Sequence, residues 1–234
     1  ASTLTLTTDW GLHPVFRDSL YPLFRKGELA FVPFSGSANL SRSHFETQDS
    51  IELGQLNSGS ISYGSGFLNR LSAQLQDGKA VFPMAFTDQL PIAFQGSLRV
   101  PNTSLRDLTT PSVDARQSAI ITAMYKGNTL EGSVQSGFAV REQIMRKMSE
   151  EMKAASRGAI TSKGFELEAR RIARLMRDQY SVGFVDIGGW DTHVTQGGAT
   201  GYLASRFEEL GQGLVAFSQE MGTDWNNTRS EEHT

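Results

Sequence analysis

Ser181 to His193 reads SVGFVDIGGWDTH, and the fold expected for the rest of the chain follows from it. Val182, Phe184, Val185 and Ile187 form a short apolar run, broken by Gly183 and ended by Gly188 and Gly189, with Trp190, Asp191, Thr192 and His193 next. This pattern predicts a buried strand emptying into a loop. In an open α/β sheet the carboxyl ends of the strands face the crevice where ligands bind, so an Asp and a His delivered there are placed for chemistry. A carboxylate and an imidazole at Asp-x-His spacing suit a hard or borderline cation such as zinc or manganese. The alternative makes Asp191 the cap of the next helix and His193 an ordinary loop residue.

At 234 residues the chain is long enough for one sizeable core, or for a core with a smaller subdomain. Its 22 basic and 25 acidic residues leave a net charge of -3, so no overall field points to nucleic acid or an anionic membrane. There is no cysteine, which excludes disulfides, thiolate nucleophiles and cysteine ligands from this segment. A metal site here must use His, Asp, Glu and hydroxyl groups. No apolar run approaches the roughly 20 residues that span a bilayer, and the amino-terminal region lacks the basic and apolar blocks of a signal peptide. Both ends read as cut. The chain opens at Ala1, Leu4 and Leu6 alternate with threonines as in a strand met part-way, and Arg229 to Thr234, RSEEHT, resembles one translation of a widely used sequencing adapter. The expectation is one α/β domain over residues 1–228 and a non-native tail at 229–234.

Outward from the organising strand, Val15 to Lys26 predicts a helix with Pro14 at its first position and Gly27 past its end. Leu29 to Phe34 is a continuous apolar run, the pattern of a parallel strand covered on both faces. Gly66 to Leu75 predicts a helix, Val81 to Phe86 a strand, and Ile92 to Phe94 a weaker strand. Thr110 to Asp114 reads as the start of a helix that stops at Gly127. Long helical patterns follow at about residues 135–156 and 165–180, and a last one over Tyr202 to Met221 with Leu203, Phe207, Leu210, Leu214 and Phe217 inward. The methionine stripe of Met145, Met148 and Met152 reads as core filling, and Arg170, Arg171, Arg174 and Arg177 as a solvated face. Together these predict a doubly wound, mostly parallel sheet with helices on both faces and a helical insertion at about residues 90–163.

Ser41-Arg42-Ser43-His44 is the second stretch that could carry chemistry. A serine at a helix start gains from the positive end of the helix dipole, and exposed amides there hold an oxyanion or phosphate. Arg42 offers paired donors to a tetrahedral anion. In the alternative, Ser41 or Ser43 only caps the helix and Arg42 lies in solvent.

GLHP at Gly11 to Pro14, SRSHFETQD at Ser41 to Asp49, GFLNRL at Gly66 to Leu71 and GGWDTH at Gly188 to His193, in this order, resemble the bacterial family catalogued as domain of unknown function 1501. That family is usually grouped with the alkaline phosphatase and sulfatase superfamily. The resemblance runs from about Leu12 to Thr228 and implies an exported α/β protein with a metal-assisted site for small-molecule or polymer-borne phosphate or sulfate esters. By position it implies Ser43 or Ser41 as nucleophile, Arg42 and His44 as neighbours of the bound anion, and Asp191 and His193 as ligands of a divalent metal, zinc or manganese. Asp186 is a further ligand candidate, lying inside the strand run. Without cysteine, the cysteine-derived nucleophile of most sulfatases is excluded.

Members of the family normally begin with a strand carrying an Asp and end with segments rich in Asp, His and Gly. Neither is read here, so the expectation is an incomplete alkaline-phosphatase-like fold, inactive as it stands because missing ligands set metal affinity. The alternative is an exported binding or scaffold protein that keeps the sulfatase-like fold without turnover. A metal-free serine hydrolase fits less well, since His44 directly follows Ser43 and adjacent helical side chains point apart.

Overall fold

The structure, a computed structural model, describes residues 2–36, 43–55, 62–76, 80–106, 115–148 and 164–232. In chain order its elements are β1 (Leu4–Thr5), β2 (Gly11–Leu12), a 3-10 turn (Pro14–Asp18), α1 (Leu20–Arg25), α2 (His44–Leu53), α3 (Phe67–Leu75), β3 (Pro83–Ala85), a 3-10 turn (Ile92–Phe94), α4 (Ala115–Met124), α5 (Glu131–Lys147), α6 (Phe165–Asp178), β4 (Val182–Phe184), α7 (Tyr202–Met221) and a closing 3-10 turn (Gly222–Asn227). The chain mixes helix and sheet, as an α/β reading requires. Among the described residues the strands form two ladders of two, β1 antiparallel to β2 and β3 parallel to β4. By contacts the chain divides into one unit of Ala1–Gly36, Ser162–Gln179 and Asp186–Thr234, and another of Ser37–Thr161 and Tyr180–Val185.

In the first unit the helix expected over Val15 to Lys26 is two pieces. Pro14 opens the 3-10 turn and the His13 Nδ1 accepts from the Val15 amide at 3.3 Å, but Ser19 adopts φ -123° and ψ -96°, outside the helical region, and the chain restarts as α1. Leu4, Leu12, Phe16, Leu20 and Leu23 form the buried core here, with Phe207, Leu214 and Val215 of α7 packed against it. The buried positions of α7 include Ala204, Gly211, Gly213 and Ala216, whereas Leu203, Phe207, Leu210, Leu214 and Phe217, expected inward, are half-buried. Small residues win the inner face because neighbours approach closely. A Cβ on Gly213 would run into the Phe165 ring of α6, and one on Gly211 would lie 3.0 Å from the Phe16 ring. The arginine row of α6 is only in part a solvated face, with Arg177 exposed and Arg170 and Arg174 half-buried. Arg171 is buried, and Arg174 Nε donates to Glu220 of α7 at 2.9 Å.

The run Leu29 to Phe34 is not a strand. Among the described residues no strand pairs with it, and Val32 is 73% and Phe34 93% exposed. An apolar run makes a buried parallel strand only when flanking strands take its amides and carbonyls, and no such ladder is present among the described residues of its unit.

In the second unit β3 is fully buried, and its register pairs Pro83, Met84 and Ala85 with Val182, Gly183 and Phe184. The ladder continues through Phe86 N donating to Phe184 O at 2.7 Å. Only β3 pairs with β4 among the described residues, so β4 is half-exposed where the sequence predicted burial. Ile92 to Phe94 is a 3-10 turn instead of a strand, because its Ala93 amide is claimed by the buried Glu52 carboxylate at 3.0 Å. The motif GFLNRL explains itself structurally. Gly66 lies against the Ile92–Ala93 backbone, buried Asn69 donates to Phe94 O at 2.8 Å and Leu98 O at 2.7 Å, and Arg70 donates to Leu53 O at the end of α2 at 2.8 Å. Of the methionine stripe Met148 is buried, as core filling requires, and Met145 is half-buried. Met152 and the helix start at Thr110 to Asp114 lie outside the described residues.

Candidate functional site

The loop that carries Asp191 and His193 is held by α7, in the unit to which both belong. Gly188 and Gly189 let the backbone come close. Gly189 has φ +89°, a left-handed conformation that favours glycine, and a Cβ there would lie 2.8 Å from the Tyr202 hydroxyl and 3.2 Å from Arg206 Nε. Arg206 Nη2 donates to the Gly188 carbonyl at 2.7 Å. Trp190 folds back on its own loop, its indole N–H donating to Ile187 O at 2.6 Å. Its ring meets Phe207 at 5.9 Å between centroids and lies under the Arg206 guanidinium at 5.7 Å, a cation–π contact. Phe207 also meets the rings of His13, at 5.8 Å, and Phe16, at 5.4 Å. The motifs GLHP and GGWDTH therefore converge on one side chain of α7.

Past Trp190 the loop turns outward. His193 Nε2 and Asp191 Oδ2 stand 3.0 Å apart, with the side chains 76% and 58% exposed. Asp191 does not cap α7, whose cap residue is Gly201. Exposed pairs contribute about 0–1 kcal/mol to stability, so fold energetics alone give little reason for this one. As donors the two fit zinc or manganese in kind. Ligands about 2.0–2.1 Å from a tetrahedral zinc lie roughly 3.4 Å from one another, so the pair needs to open by only a few tenths of an ångström. They supply two of the four positions a zinc ion takes.

The remaining sequence candidates fall in different places. Asp186 lies beyond the end of β4, which stops at Phe184, and is exposed, so it is not inside the strand. Ser43 is the N-cap of α2, its Oγ accepting from the Glu46 amide at 3.3 Å, and His44 is the first residue of that helix, exposed. Ser43 and His44 belong to the second unit. Ser41 and Arg42 lie outside the described residues.

Sequence reasoning missed Tyr202, Arg206 and Glu209. Arg206 pairs with Glu209 one turn on, which in a sequence looks like an ordinary surface pair. Glu209 Oε1 also accepts the Phe165 amide at the start of α6 at 3.0 Å, a contact across 44 positions that no local spacing announces.

The family model described as "Protein of unknown function (DUF1501)" matches residues 8–229. No curated protein and no solved structure matches the chain. GLHP, SRSHFETQD, GFLNRL and GGWDTH all fall inside the matched span, and the chain belongs to the DUF1501 family.

Proposed function

We propose that this chain is part of an exported metal-dependent hydrolase of phosphate or sulfate esters, with a doubly wound α/β fold of the alkaline phosphatase kind. The observation that carries the reading is the Asp191–His193 pair, two metal-competent donors 3.0 Å apart on an exposed loop whose base is held by Arg206 of α7. Asp191 contributes negative charge and His193 a nitrogen donor, and Asp186 is the nearest further carboxylate in sequence. Ser43 is the proposed nucleophile, with Arg42 and His44 beside the bound anion. At the start of α2 the helix dipole favours negative charge on an attacking oxygen or a bound ester. A zinc or manganese ion, when bound, would lower the pKa of a hydroxyl and draw charge from an ester oxygen.

The test is metal content. The DUF1501 protein purified without chelator is expected to carry near-stoichiometric zinc or manganese, and Asp191→Ala and His193→Ala are each expected to lower its retention at least tenfold, as removal of one ligand does. Metal-free protein that takes up no ion on addition would sink the reading. A specific observation favours the non-catalytic binding or scaffold alternative in that event: the Ser43 oxygen already serves as a helix cap.

A further inference from the structure

We propose that Arg206 is a positioning residue for the Asp191–His193 pair, an inference that rests on the metal-binding reading and adds to it the side chain that sets ligand geometry. Arg206 does three things at once. It donates to Gly188 O at 2.7 Å, lies over the Trp190 ring at 5.7 Å and pairs through Nη1 with Glu209, whose other oxygen accepts the Phe165 amide. The backbone three residues before Asp191 and the ring immediately before it are thus tied to α7, and α7 through Glu209 to the start of α6. Its Nε is buried and has no hydrogen-bond partner among the described residues.

An unsatisfied buried donor is destabilising, so an apolar residue would fill this space at lower cost if packing were the whole role. The planar fork holds carbonyl, ring and carboxylate in one fixed relation, which neither an apolar side chain nor the single charge of lysine reproduces. Gly189 completes the arrangement, because any side chain there would displace Tyr202 and Arg206.

The experiment uses the full chain, the variants Arg206→Met and Arg206→Lys, zinc titration, and hydrogen exchange of the Trp190 indole N–H. Arg206→Met is expected to weaken zinc binding about 10- to 100-fold, the range for residues that orient ligands, and Arg206→Lys to fall between it and the parent. Indole exchange is expected to speed up at least tenfold in Arg206→Met. Parent-like zinc affinity in both variants would overturn the inference. If the parent binds no zinc, the metal reading fails by itself, and the exchange rate decides: unchanged in both variants, it overturns the positioning role; faster, it leaves Arg206 as the residue that sets the loop. Should Arg206→Met fail to fold, Arg206→Lys carries the same comparison.

Discussion

The hydroxyl of Tyr180 is buried and finds no hydrogen-bond partner among the described residues, while its ring packs edge-on against Phe86 at 6.3 Å. Burial pushes its pKa up from the ordinary phenol value, because the phenolate would lose its hydration. The sign of the linkage follows. Below about pH 10 both states are protonated and the stability is fully present. As pH rises from there toward the raised folded pKa, the unfolded chain releases the proton first, and stability falls. Tyr180→Phe removes both the orphan hydroxyl and this slope. Urea unfolding is expected to show the variant more stable at pH 7 by about 1 kcal/mol, with the gap widening above pH 10. Equal loss of stability in parent and variant above pH 10 would contradict this account. The helical pattern expected to run to about residue 180 stops at Asp178, so Tyr180 is buried beyond the helix, and nothing local announces that its hydroxyl goes unpaired.

At the scale of elements the glycines separate packing from propensity. Gly213 in α7 faces the Phe165 ring with no room for a Cβ, so Gly213→Ala trades a helix-propensity gain for overpacking. A net loss of about 1–2 kcal/mol is expected from thermal unfolding. Gly137 sits on the exposed face of α5, where Gly137→Ala is expected to gain about 0.5–1 kcal/mol. The same substitution in two helices should move stability in opposite directions, and a gain at Gly213 would refute the close packing of α6 on α7. These helices were legible because 3.6-residue periodicity, Pro14 at an N-terminus and glycines past the ends are local signals. Which stripe is innermost was not legible: the leucines and phenylalanines of α7 look like its core, yet Ala204, Gly211, Gly213 and Ala216 lie deeper because their smallness lets α7 approach its neighbours. The apolar run at Leu29 to Phe34 failed for the complementary reason, since a strand exists only where another chain segment takes its hydrogen bonds.

At the scale of the whole molecule the near balance of 22 basic and 25 acidic residues predicts no retention on immobilised DNA at physiological salt, because such binding draws on released counterions and needs a concentrated positive surface. Salt-sensitive retention would contradict it. By itself the sequence determined the mixed helix and strand content, the family, the absence of cysteine chemistry and the residues Asp191 and His193 as chemically suited donors. Composition, caps and short-range spacing are properties of neighbouring residues, and they survive without knowledge of the fold. Only the tertiary structure decided that Asn69 and Arg70 are clamps, that Arg171 is buried, and that the loop bearing Asp191 and His193 is fixed by Tyr202, Arg206 and Phe207. Those assignments join residues from 13 to 29 positions apart, and packing, not local pattern, brings such residues together.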